Sequence, residues 1–176
     1  YKRLCMEQRE HLLNRTNSQI NDVGFGSLND LDLLGNILDA DIMAMGTARD
    51  EVYYRKEDVK EMVRRQIEQT EGLNLRYRKE ELFRHYIPGS DYAVIVDIIH
   101  LLLSINEEEV VISVRFTTVY KFQDEKWVLI HFHTSKPENV ESETDTFGIE
   151  EWKERTAELE KLVAERTREL VLTNTE

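Results

Sequence analysis

The 176-residue chain has one cysteine, two prolines and seven glycines. Cys5 cannot close an internal disulfide, and a lone thiol fits a reducing compartment, so a cytoplasmic location is expected. So little proline and glycine excludes a collagen-like or low-complexity chain, and regularly spaced apolar segments exclude wholesale disorder. Basic residues are the minority charge: 23 Lys and Arg against 35 Asp and Glu leave a net charge of -12, which repels a phosphate backbone or an anionic bilayer. Neither nucleic acid nor a membrane surface is an expected partner. The longest apolar run, Tyr92 to Ile105, is interrupted by Asp97 and His100 and falls short of the ~20 residues that span a bilayer. There is no phosphate-binding glycine loop, nucleophile elbow, paired-cysteine zinc pattern or kinase signature. No cofactor, metal or complete catalytic set is expected from these residues. The start at Tyr1, in mid-pattern, reads as a piece cut from a longer protein.

The apolar spacing predicts a helix over residues 2–23, a short second helix over 28–36 and a strand over 38–45, whose period is two. Val59, Met62, Val63 and Ile67, spaced by three and four, predict a helix over 57–70 that stops at Gly72. Four strands follow, over 73–87, 92–103, 109–122 and 127–135. Their turns are Pro88-Gly89-Ser90, Asn106-Glu107 and Asp124-Glu125. Short links between long strands make an antiparallel meander, and helices first with strands afterwards make an α+β domain whose sheet has one helix-covered face. Residues 138–148 read as a connector. Beyond them, Trp152, Thr156, Leu159, Val163, Arg166, Leu170 and Thr173 form a heptad seam on one helix over 149–176. A seam this thin is expected to pair with a second copy of itself through Leu159, Val163 and Leu170, the alternative being a solvated terminal helix held by pairs such as Glu151 with Arg155. The expected organisation is a helix over 1–27, a domain over 28–137, the connector and the coiled coil.

Ionisable residues within apolar strands are the candidates for chemistry, because their burial is costly without a partner or a task. Turning the last hairpin at Asp124-Glu125 makes paired residue numbers sum to 249 and sets Arg115 opposite Thr134. Turning the preceding one at Asn106-Glu107 makes the sum 213 and sets His100 beside Ser113. Arg115, Thr117, His100 and Thr134 then share one face among apolar neighbours, the form of a small-molecule site, with Arg115 suited to an anion. The alternative for Arg115 is an ion pair with Asp39 or Asp41. Trp127, His131, His133 and Tyr120 fall on the opposite face. His131 and His133 lack a third metal ligand at a recognisable spacing. Asp97, on the face away from Arg115, is expected to be structural.

Lys126-Trp127-Val128-Leu129-Ile130-His131-Phe132-His133-Thr134-Ser135-Lys136-Pro137 resembles the last strand of SnoaL-like domains in the nuclear transport factor 2-like superfamily, and of the association domain of calcium/calmodulin-dependent protein kinase. Met45-Gly46-Thr47, Asp50-Glu51 and Arg55-Lys56-Glu57 resemble a further run of that family, with Arg55 where glycine is usual. Arg115-Phe116-Thr117 before Val119-Tyr120 is similar to its penultimate strand. The resemblance implies a cone-shaped, cystatin-like α+β barrel enclosing a pocket and dimerising through the outer sheet face. In the kinase association domain the position of Thr134 is usually a pocket arginine. The run from Glu158 to Leu170 resembles the signalling helix that joins bacterial sensor domains to histidine kinase or diguanylate cyclase modules.

Together these imply a homodimeric, non-catalytic sensory domain of a bacterial signalling protein. It would bind a small, anionic ligand at Arg115, Thr117, His100 and Thr134. Its dimer would form through Trp127, His131, His133 and Tyr120, with a kinase or cyclase module downstream in the same chain. The alternatives are a small isomerase or cyclase-type enzyme using Asp97 or His100 as base, and a dimerisation scaffold with a filled pocket.

Overall fold

The computed structural model describes residues 5–105, 108–137 and 149–173. The expected turn at Asn106-Glu107 and the connector over 138–148 lie outside them. The chain forms two compact units, Tyr1–Pro137 and Glu138–Glu176.

In the first unit, α1 (Met6–Phe25) turns Leu13, Asn17, Ile20 and Asn21, spaced by about one helical turn, into the interior. The Asp30 side chain accepts a bond from the Leu33 amide at 2.8 Å and starts α2 (Leu31–Ile37). Strands β1 (Leu38–Met45) and β2 (Val52–Tyr53) precede α3 (Lys56–Thr70), which buries Val59 and Val63. Then come β3 (Arg76–Tyr86), β4 (Tyr92–Ile105), β5 (Glu108–Gln123) and β6 (Lys126–Ser135). The spacing rules placed these elements closely, and missed only the two-residue β2.

The six strands form one sheet in the order β2-β1-β6-β5-β4-β3. β3 to β6 form the expected antiparallel meander, while β1 joins β6 in parallel and carries β2 on its free edge. The α+β class is as read from the sequence. Its core lies between the helices and one sheet face, where Ala93, Ile95, Ile99, Val114, Phe116, Tyr120 and Leu129 are buried with Leu13, Ile20 and Val59.

Two features of the sheet fix which residues reach that core. Between β4 and β5 the paired numbers sum to 213 as expected, with Ile98 opposite Arg115 and His100 opposite Ser113. Between β5 and β6 the sum begins at 249 beside a turn in which Asp124 and Glu125 both have positive φ, 50° and 59°. Positive φ at both central residues matches the right-handed strand twist and makes a tight hairpin. After Tyr120↔Leu129, however, the next pair is Val119↔His131, so Ile130 is an extra residue on β6. The bulge reverses the parity of the rest of the strand: Phe132 and Thr134 turn inward beside Thr118 and Phe116, and His131 and His133 turn outward.

In the second unit, α4 (Ile149–Thr173) is one continuous helix. Trp152, Leu159, Val163 and Leu170, the apolar members of its seam, are exposed, as is Leu162. Among the described residues, no helix is long and apolar enough to cross a membrane.

Leu13 is 0% exposed and anchors α1 to the core. Leu13→Ala is expected to lower unfolding stability by about 2–5 kcal/mol, read from urea denaturation.

Candidate functional site

The inner face of the sheet and the three helices leave a chamber of about 180 Å³. β5 and β6 supply its floor through Val114, Phe116, Leu129, Phe132 and Thr134. The end of α1 contributes Ile20, Gly24 and Phe25, and α3 contributes Val59, Met62, Val63 and Gln66. Three rings run across it: Phe25 meets Phe116 edge-on with centroids 4.9 Å apart, and Phe116 lies 5.6 Å from Phe132. The wall is almost wholly apolar. Thr134 supplies a hydroxyl on the floor, while Thr47, Glu51 and Gln66 supply the remaining polar side chains.

The loop after β1 sets Glu51 in place. The Gly46 amide donates to the Glu51 carbonyl at 2.8 Å, and the Glu51 carboxylate accepts from the Ala48 amide at 2.9 Å. Gly46 leaves no room for a side chain, because a Cβ there would stand 2.1 Å from Glu51 Oε2. The Gln66 amide donates to the Gly24 carbonyl, tying α3 to the end of α1 beside the chamber. A second depression, of about 330 Å³, shares Glu51, Met62 and Gln66 with the chamber and adds Asp50, Tyr53, Arg65 and Gln69. Partial burial, then the Glu51 charge, raise the Tyr53 hydroxyl above its ordinary pKa.

A separate polar knot lies between α1 and the sheet. Asp97, Asn17 and Asn21 are each 0% exposed. The Tyr120 hydroxyl donates to Asn17 Oδ1 at 2.8 Å, and Asn17 Nδ2 stands 3.4 Å from Asp97 Oδ2. Lys79 Nζ is 3.9 Å from the same oxygen, whereas Asp97 Oδ1 and both polar atoms of the Asn21 side chain have no hydrogen-bond partner. Burial pushes the Asp97 carboxyl up, against the pull of Lys79 and the bond from Asn17. None of Asp97, Asn17 or Asn21 lines the chamber.

These positions correct the expected site. Arg115, Thr117 and His100 lie on the outer sheet face, with Arg115 exposed and His100 Nδ1 2.8 Å from Ser113 Oγ. Of the four expected ligand contacts only Thr134 lines the chamber. Conversely, Trp127 and Tyr120, expected at a dimer surface, are 3% and 0% exposed inside, where the Trp127 indole donates to the Arg9 carbonyl at 2.8 Å. The physical reason is bulk: the inward face is the one that carries Phe116, Tyr120 and Trp127, and the Ile130 bulge adds Phe132 and Thr134 to it. His131 and His133 do face outward, and His131 Nδ1 donates to the Met43 carbonyl at 2.8 Å. Among the described residues no three His, Cys, Asp or Glu side chains gather as metal ligands, and neither Asp39 nor Asp41 is paired with Arg115. Glu51, Thr47 and Gln66 lie outside the expected site, although Gly46-Thr47 and Asp50-Glu51 belong to the run that resembles the family.

Residues 26–138 match the family model described as the SnoaL-like domain. Solved structures share the fold at low identity. A domain of unknown function with a cystatin-like fold from Nostoc punctiforme PCC 73102 is 12% identical, with a TM-score of 0.68 over 93% of this chain and 99% of that one. A candidate calcium/calmodulin-dependent protein kinase II association domain from Xanthomonas campestris is 16% identical, with a TM-score of 0.56 over 74% and 86%. A candidate dehydratase of the nuclear transport factor 2-like family from Streptomyces avermitilis is 14% identical, with a TM-score of 0.60 over 76% and 99%. No curated protein matches the sequence.

The raised pKa of Asp97 gives a stability test. A carboxyl that binds its proton more tightly when folded adds stability at low pH that is lost as the pH rises through its folded pKa. Asp97→Asn keeps an acceptor for Asn17 without the charge. It is expected to melt above the parent at pH 7, with the gap closing as the pH falls towards the ordinary value of 3.8. An unchanged gap across a pH series of melting curves would contradict this.

Proposed function

The chain belongs to the SnoaL-like domain family, and on that premise we propose that it is a non-catalytic sensory input domain that binds a small molecule in its chamber. The apolar chamber under the inner sheet face is the observation that carries this reading: such a cavity with a few polar groups at one side is the usual form of a small-molecule site. A void of about 150 Å³ admits a ligand the size of benzene, so this one suits a single ring or a short branched chain. Thr134 would contact the ligand.

The reading includes a homodimer. On the outer face Val94, Val96, Ile98, Thr117, Val119 and His131 are only half-buried, and Phe83 is 51% exposed at its β3 edge. A second copy would cover this face, while Leu159, Val163 and Leu170 would pair along α4. Ligand binding would shift the dimer, and the coiled coil would carry that shift to a kinase or cyclase module of a cytoplasmic bacterial signalling protein. A second reading, an isomerase or dehydratase-type enzyme, is favoured by the Glu51 carboxylate on the chamber wall and by the name of the Streptomyces neighbour. The bases expected for an enzyme do not serve it: His100 faces outward and Asp97 is off the chamber.

Two measurements test the proposal. Small apolar compounds that fit the chamber are expected to raise the melting temperature in a thermal-shift screen, and Val63→Phe, which fills the chamber wall, should remove the shift. Sedimentation of the chain should give a dimer, and Val96→Glu on the outer face should give monomers while melting stability falls little. A chain that is monomeric and indifferent to every compound would end the sensory reading, and turnover lost in Glu51→Gln would favour the enzyme.

A further inference from the structure

The charges around the chamber point away from an anionic ligand. That expectation rested on Arg115, which lies on the outer face. The polar depression that adjoins the chamber has its own balance: Asp50, Glu51 and Arg65 are its charged groups, two carboxylates against one guanidinium. Glu51 alone of the three lines both spaces, so a headgroup leaving the chamber meets that carboxylate first. Arg65 belongs only to the outer depression, and its Nε stands 4.0 Å from Glu61 on the α3 surface. Tyr53, whose hydroxyl feels Glu51 first, then Arg65 and Asp50, adds an aromatic ring to the depression, a face that attracts cations. The net charge of -12 works in the same direction at long range.

We propose that the ligand is a small primary amine with an apolar body: the body fills the chamber between Phe25, Phe116 and Phe132, and the ammonium group projects past Gln66 to the Glu51 carboxylate and Tyr53. This rests on the ligand-binding reading and specifies its chemical class. Glu51 is suited to the task because its backbone is held by Gly46 and one carboxylate oxygen by the Ala48 amide, which fixes the group without neutralising it. The Gln66 side chain lines both spaces and sits at the passage between them. A carboxylate headgroup in the same place would face Glu51 and gain only Arg65, farther out.

The test uses calorimetry on the intact chain at low salt with three probes that share a phenyl ring and differ in headgroup: phenethylamine, 3-phenylpropionate and benzyl alcohol. The amine is expected to bind about tenfold tighter than the carboxylate, as one charge-assisted contact allows. Glu51→Gln, which keeps an acceptor for the Ala48 amide, should weaken the amine about tenfold and leave benzyl alcohol within about twofold. Arg65→Gln should strengthen the amine and weaken the carboxylate, and serves as the readout if Glu51→Gln does not fold. A carboxylate that binds as well as the amine, or amine binding that neither variant changes, overturns the amine assignment while benzyl alcohol binding leaves the chamber standing. Failure of all three probes to bind overturns the ligand-binding reading itself.

Discussion

The extra residue at Ile130 governs the inner surface of this protein. A strand places alternate side chains on opposite faces, so one inserted residue exchanges the faces for everything beyond it. Before the bulge, Trp127 and Leu129 point inward; after it, Phe132 and Thr134 do. Without that exchange His131 and His133 would enter an apolar interior among Phe25, Val63 and Phe116, where imidazoles lack partners. With it, the chamber gains a third aromatic ring and its only floor hydroxyl among the described residues, and His131 finds the Met43 carbonyl on the neighbouring strand.

The helices close what the sheet opens. α1 is fastened at several points. Near its start, Arg9 bonds Asp91 at 2.8 Å and lies 4.1 Å over the Phe122 ring. In its middle, Asn17 meets Tyr120 and Asp97, and towards its end Asp22 accepts from the Tyr77 hydroxyl at 2.7 Å. Its last turn forms part of the chamber wall and is joined to α3 through Gln66. The middle fastening is a costly one, since it buries a carboxylate with one unpartnered oxygen in place of hydrophobic contact. Polar groups so placed fix the register of a helix on a sheet, because sliding α1 by one turn would leave them all unpaired.

Most of the fold was legible because helical and strand periods are written directly in the spacing of Val59, Met62, Val63 and Ile67, and in the long paired strands. The β4–β5 register followed from counting across one turn, and the hairpin at Asp124-Glu125 from its turn residues. The inner face was not legible for two physical reasons. β4 is apolar on both sides, with Ala93, Ile95 and Ile99 on one and Val94, Val96 and Ile98 on the other, so hydrophobicity does not choose between them. A bulge leaves no signature in the composition of Leu129-Ile130-His131. The parallel pairing of β1 with β6 joins residues about ninety positions apart, as in Ala44 with Phe132, and no local pattern encodes it.

The inward placement of Phe132 and Thr134 in the chamber depends on the register beyond Ile130, and backbone NMR reads that register directly. The bulged strand places Phe116 opposite Thr134 and Val119 opposite His131, so cross-strand nuclear Overhauser contacts should join those pairs. Contacts between Arg115 and Thr134 instead would restore uninterrupted alternation, turn His131 and His133 towards the helices and contradict the account.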